Sequence, residues 1–169
     1  MNLNSDIAQW DMKSAGDIQL IYENYANTPK FVDQIALLLA VPSMQRGASW
    51  LLKRHVADNG NSLEKHQHLA IYQTVDLLEH WETKLHILQC MAYLPVPLEC
   101  RNNVEKYVRD CLSAERKFVR AWAYSGFHSL AVQFPELQDE AVLLLNTALK
   151  QESAGSVKSR INRAIKLGF

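Results

Sequence analysis

A chain of 169 residues, 48% apolar and 21% charged, has the composition of one globular domain, which excludes a disordered or collagen-like chain. Its 18 basic and 18 acidic residues cancel, so net charge favours neither an anionic nor a cationic partner, and only the placement of charge is informative. Three cysteines without a C-x-x-C pair (Cys90, Cys100 and Cys111) fall at or beside apolar helical positions. They read as reduced, buried thiols of a cytoplasmic protein rather than a disulfide framework.

In chain order, Met1-Asn2-Leu3-Asn4-Ser5-Asp6 has neither the basic start nor the apolar run of a signal peptide, and residues 1–13 read as a weak leading segment. Ser14-Ala15-Gly16-Asp17 is a capping box for a helix carrying Ile18, Ile21, Tyr22 and Tyr25. Thr28 is expected to cap the next helix, with Pro29 at its first position and Phe31, Ile35 and Leu38 on its apolar stripe. The longest apolar run, residues 35–42, is too short to span a bilayer. After Pro42, Ser43 is expected to cap a helix over about 43–57, which Asn59-Gly60 ends in a turn.

Asn61-Ser62-Leu63-Glu64 then offers a second capping box, before a long helix with Leu69, Tyr72, Val75 and Leu78 on one face. The helix that follows covers about 82–94, and Pro95 and Pro97 stop it. Cys100, Val104, Tyr107, Val108 and Cys111 mark the next helix; Val119, Ala123, Phe127 and Leu130 mark one over 116–133. Leu137, Ala141, Leu144 and Ala148 define its successor after Pro135, and Ile161 and Ile165 define a last helix over 156–168. No stretch alternates with period two for long enough to predict a strand.

The prediction is nine helices in one domain, 1–169: a leading segment over 1–29, then pairs over about 30–57, 61–94, 97–134 and 135–169. The second helix of each pair opens on a basic residue, Arg46, Lys84, Arg120 or Lys158, at intervals of 38, 36 and 38. A fixed period of this size is the mark of a stacked helical-repeat array, whose pairs bury their apolar stripes against one another.

The features Val119-Arg120 with Ala123, Val157-Lys158 with Ile161, and Lys84 with Ile87 resemble HEAT and armadillo-type repeats over about residues 30–169. The chain departs from the usual HEAT pattern where Gln45 and Thr83 stand in place of Val and where the expected Asp is missing from all four copies. The resemblance implies an all-α, right-handed α-solenoid of about four antiparallel pairs plus a leading helix, with the second helices lining its concave face. Those helices, as predicted, hold eleven basic residues and one acid, Glu82, so the implied groove is basic and its back acidic. A competing use of Arg46, Lys84, Arg120 and Lys158 is a ladder of ion pairs with neighbouring helices.

On a helical wheel the side away from the apolar stripe carries Gln89, Ser125 and Arg163; one flank carries His86, Trp122 and Arg160, the other Tyr93 and Ser129. A half-exposed Trp beside Arg and Tyr suits a protein hot spot or a platform for stacking bases; packing between repeats is the plainer use of the same flank. No catalytic set is found. His66 and His68 point apart at a spacing of two, and no nucleophile elbow, P-loop or dinucleotide fingerprint occurs. The His-Glu dipeptides of di-iron HEAT-like enzymes are missing. HEAT-like glycosylases place a carboxylate in the groove, and Glu82 is the lone candidate here.

The expectation is therefore a non-enzymatic scaffold without cofactor or metal, which binds an acidic protein segment in its basic groove; the alternative is a nucleic-acid-binding HEAT-like protein. The last stripe runs to Leu167-Gly168-Phe169 with no polar capping repeat after it, which leaves an end-to-end homodimer open beside a monomer.

Overall fold

A computed structural model describes residues 2–60 and 62–169. Among them there are ten α-helices and no strand: α1 Leu3–Gln9, α2 Ala15–Tyr25, α3 Phe31–Leu39, α4 Gln45–Asn59, α5 Lys65–Tyr72, α6 Trp81–Cys90, α7 Arg101–Leu112, α8 Lys117–Gln133, α9 Gln138–Gln151 and α10 Gly155–Leu167. No helix among the described residues is long and apolar enough to cross a membrane.

The apolar stripes are buried largely as the periodicity predicts. Ile87, Met91 and Leu94 are buried, as are Val119, Ala123, Phe127 and Leu130. Two stripe positions are wrong by one residue. Leu145 rather than Leu144 reaches the core of α9, and Ala164 is buried while Ile165 is 37% exposed. A one-residue step rotates a side chain by about 100° on a helix, so small errors in phase move a residue from core to surface.

Helix ends differ more, each for a local reason. Residues 3–9 form a true helix, capped by the Asn2 side chain, and its Leu3 and Ile7 are buried. Ser14 caps α2, its Oγ accepting from Asp17 N at 3.1 Å, but the predicted box is only half formed, because the Ser14 N–H donates to Asp11 Oδ1 (2.8 Å) instead. Thr28 does not cap α3, because its hydroxyl donates to the Tyr25 carbonyl (2.7 Å) and finishes α2 instead. Ser43 lies inside a 3-10 turn, Pro42–Met44, so α4 starts at Gln45. Gly60, with φ +60, supplies the expected turn after α4. Of the second capping box, Asn61 lies outside the described residues; the cap observed is Glu64, whose N–H donates to Gln67 Oε1 at 3.0 Å.

The long helix expected through Leu78 breaks at Tyr72. The Thr74 hydroxyl donates to the Ile71 carbonyl (2.7 Å), offering the backbone an alternative to the helical ladder, and Val75–Leu77 continues as a 3-10 turn. α6 likewise stops at Cys90, four residues short of the prediction, and turns through Met91–Tyr93 before Pro95.

Packing follows chain order. α4 touches α6, α6 touches α8, and α8 touches α10; α2 lies against α4. α3 touches both α4 and α5, and α8 packs on both α7 and α9. Two glycines permit close approaches. A Cβ on Gly47 would sit 2.6 Å from Ile7 Cγ2, so α1 rests directly on the α4 backbone. A Cβ on Gly126 would lie 3.0 Å from Met91 Sδ and 3.2 Å from Leu88 Cδ2, where α8 crosses α6.

The apolar interior has two parts. A large core runs from Leu3 to Ala141. A separate smaller cluster joins Ala121 and Tyr124 on the far face of α8 to Leu145, Ala148, Val157, Ile161 and Ala164. α8 is the wall between them.

Polar clamps hold the turns. Gln45, 1% exposed, donates through Nε2 to the Leu77 carbonyl (2.7 Å) and accepts from Glu79 N (3.1 Å). Gln133 does the same for Val96, donating to its carbonyl and accepting from its N–H. The predicted ladder of periodic cations is half formed. Arg46 Nε donates to Glu82 (2.7 Å), and Nη2 donates to the carbonyl of Met12, a residue at φ 61. Arg120 pairs with Glu152 and donates to the carbonyls of Ala114 and Glu115. Lys84 and Lys158 have no ion pair among the described residues. An unpredicted set lies on α7, where Arg101 pairs with Glu136 and Arg109 bridges Glu105 and Glu140.

Candidate functional site

With the observed boundaries, α4, α6, α8 and α10 hold ten basic residues and two acids, Asp58 and Glu82. Asp58 has entered α4, and Arg116 now precedes α8. Much of this charge is neutralised locally: Arg46 by Glu82, Arg54 by Asp58, Arg120 by Glu152. α10 differs. Its Arg160 and Arg163 have no carboxylate partner among the described residues.

These two arginines border a recess of about 280 Å³ between the end of α6, the middle of α8 and α10. Gln89, Tyr93, Trp122, Ser125, Ser129, Arg160 and Arg163 all line it. Seven of the eight residues singled out on the helical wheel thus meet at one place. The floor comes from α8, where residues at 122, 125 and 129 share a face by helical spacing.

Arg160 is held against Trp122, its guanidinium carbon 3.6 Å from the ring centroid. That is a stacking distance, and a stacked guanidinium keeps its in-plane N–H groups available for other partners. Burial, and then the charge of Arg163, lower its pKa from the ordinary arginine value. The Gln89 carboxamide oxygen is buried in the wall with no hydrogen-bond partner among the described residues. Ser129 donates to the Ser125 carbonyl (3.1 Å).

His128, which the wheel reading passed over, also lines the recess. Its Nε2–H donates to the Gly168 carbonyl at 2.7 Å, and its ring lies 5.0 Å from that of Phe169. Its place three residues after Ser125 was the available signal, but a single His on a helix flank has no distinguishing pattern.

His86 stands apart. It lines a different recess of about 240 Å³ together with Trp10, Arg46, Trp50, Lys53 and Glu82. Its Nδ1 lies 3.0 Å from Ser49 Oγ on α4. Burial, with Lys53, Arg46 and His80 nearby, pushes its pKa down to about 3, so the ring is neutral. Burial also lowers the Lys53 ammonium. Glu82, the lone groove carboxylate of the sequence reading, is engaged by Arg46.

All three cysteines are buried and unbridged, and burial pushes the Cys90 thiol up to about 12, far from the thiolate a nucleophile requires. Among the described residues no three His, Cys, Asp or Glu side chains gather as metal ligands. No known family matches the chain, and no curated protein or solved structure matches it.

Proposed function

We propose that the protein is a non-enzymatic cytoplasmic binding module, a right-handed α-solenoid of the HEAT and armadillo kind, that holds an acidic protein segment against α6, α8 and α10. One observation carries the reading: Arg160, stacked on Trp122, and Arg163 face a recess that no Asp or Glu side chain lines among the described residues. The serial contacts of α4, α6, α8 and α10, with the period of about 37 residues, support the repeat architecture. An anionic partner would gain both Coulomb attraction and bidentate hydrogen bonds there.

The test is capture from one extract by wild-type protein and by the double variant Arg160→Glu, Arg163→Glu, with recovered proteins identified. Proteins retained by wild type and lost by the variant are expected. Identical capture by both defeats the groove.

The Trp122–Arg160 stack also favours a second reading, a platform for bases. That reading requires labelled single-stranded RNA or duplex DNA to bind with an affinity that falls steeply with salt. Absence of binding at low salt removes it.

A further inference from the structure

The basic recess does not end at Arg160. A second hollow of about 600 Å³ adjoins it, sharing Ala92, Tyr93, His128, Ser129 and Leu167. Its own lining is mostly apolar: Pro95, Val132 and Met91 join Tyr93 and Leu167, and Gln133, whose carboxamide is engaged by the Val96 backbone, is the polar addition. Three of these side chains are strongly exposed, Tyr93 at 45%, Val132 at 52% and Leu167 at 69%. One continuous groove is therefore cationic at one end and apolar at the other.

We infer that this composite groove takes a short extended peptide of a protein partner in which an apolar side chain lies beside one or two carboxylates. This rests on the acidic-segment reading and gives it a sequence rule. The apolar side chain enters the hollow between Tyr93, Val132 and Leu167, and the carboxylates meet Arg160 and Arg163.

Three observations favour that occupant. First, five of the eight arginines (46, 54, 101, 109 and 120) already hold carboxylates, and two of the three without one among the described residues face the same groove. Arg160 and Arg163 are three apart on α10, so neighbouring carboxylates on one strand suffice to reach both. Second, exposed Leu, Val and Tyr around a hollow lose water on contact with an apolar side chain, a gain that a purely acidic tail cannot supply. Third, the orphaned Gln89 carboxamide oxygen calls for a donor. A peptide N–H or a base N–H provides one, whereas a bare phosphate or a fatty acid chain does not, and an RNA probe separates the first two.

The experiment measures fluorescence anisotropy of the full chain with labelled peptide pools. In the first pool a fixed Leu, Ile, Phe or Trp is flanked by Glu on both sides, with Ser and Ala elsewhere. A second pool replaces the apolar residue by Ser; a third replaces each Glu by Gln; single-stranded RNA is a fourth probe. The variants are Leu167→Asp and Arg163→Glu, both at exposed positions, with circular dichroism to establish that they remain helical. The first pool is expected to bind, and the second and third to bind about tenfold or more weakly, the effect of losing one anchor. Leu167→Asp should equalise the first and second pools, and Arg163→Glu should equalise the first and third.

Equal binding of the first and second pools to wild-type protein overturns the composite groove while leaving an acidic-segment site intact. Binding of neither Glu-containing pool overturns both readings, and RNA binding in their place transfers the recess to nucleic acid.

Discussion

Arg120 and Arg54 show how differently two arginines of one surface can matter. Arg54 forms an exposed i, i+4 pair with Asp58, an arrangement worth about 0.3–0.5 kcal/mol. Arg120 pairs with Glu152, whose side chain is only 11% exposed, and also holds the carbonyls of Ala114 and Glu115. Removing it strands several partly buried acceptors at about 1–3 kcal/mol. Urea midpoints should therefore fall clearly for Arg120→Ala and barely for Arg54→Ala; equal effects would refute this ranking. Gln45→Leu should cost a similar 1–3 kcal/mol, because the Leu77 carbonyl and Glu79 N–H lose their partner. His86 makes stability depend on pH. It stays neutral in the fold, while the unfolded chain binds a proton below about pH 6.5. Its contribution is present above that pH and is lost as pH falls towards 3, with a slope of at most about 1.36 kcal/mol per pH unit. Stability of His86→Asn should fall less than that of wild type between pH 7 and pH 4 in urea titrations, and parallel profiles would show that His86 does not titrate in this way.

Elements were legible in the sequence where burial repeats with the helical period, and illegible where a single hydroxyl decides an end. Val119, Ala123, Phe127 and Leu130 fall on one stripe and are all buried. Thr28 and Ser43 fit the composition of a cap, yet the Thr28 hydroxyl closes α2 and Ser43 lies inside a turn. Composition cannot reveal which neighbour a hydroxyl meets. The same limit applies to the candidate site. Wheel positions brought seven residues to one recess because helix faces are geometric, but His86 faces Ser49 on α4, and which neighbour each turn of α6 meets depends on packing. Nor did the sequence mark Gly47, whose missing side chain lets α1 settle on α4. Gly47→Val would force Ile7, a stiff β-branched residue, off the α4 backbone. Release of α1, seen as early proteolytic cleavage near Trp10 with the remaining helices still protected, is the expected result. Unchanged cleavage would mean that α1 tolerates the added atoms.

At the scale of the whole molecule the two apolar clusters predict uneven stability. The smaller one, shared by α8, α9 and α10, contains no residue larger than Tyr124, and much of it is alanine. Apolar burial scales with area, so this end should open before the large core. Native-state hydrogen exchange should find the amides of α10 opening at lower free energy than those of α6 and α8. Exchange of all three as one unit would show that the two clusters unfold together.

The wall between those clusters also crosses the groove, whose lining comes from α6 and α8 on one side and α10 on the other. Whatever occupies it must span the two regions that are expected to open separately. By linkage, such an occupant shifts the opening equilibrium of α10 by as much as that opening weakens its own binding. The protein would then act as a clasp. Its last helix would exchange its amides faster when empty and slow down as ligand fills the groove, so that occupancy is written into the motion of one helix without any change in the positions of the others.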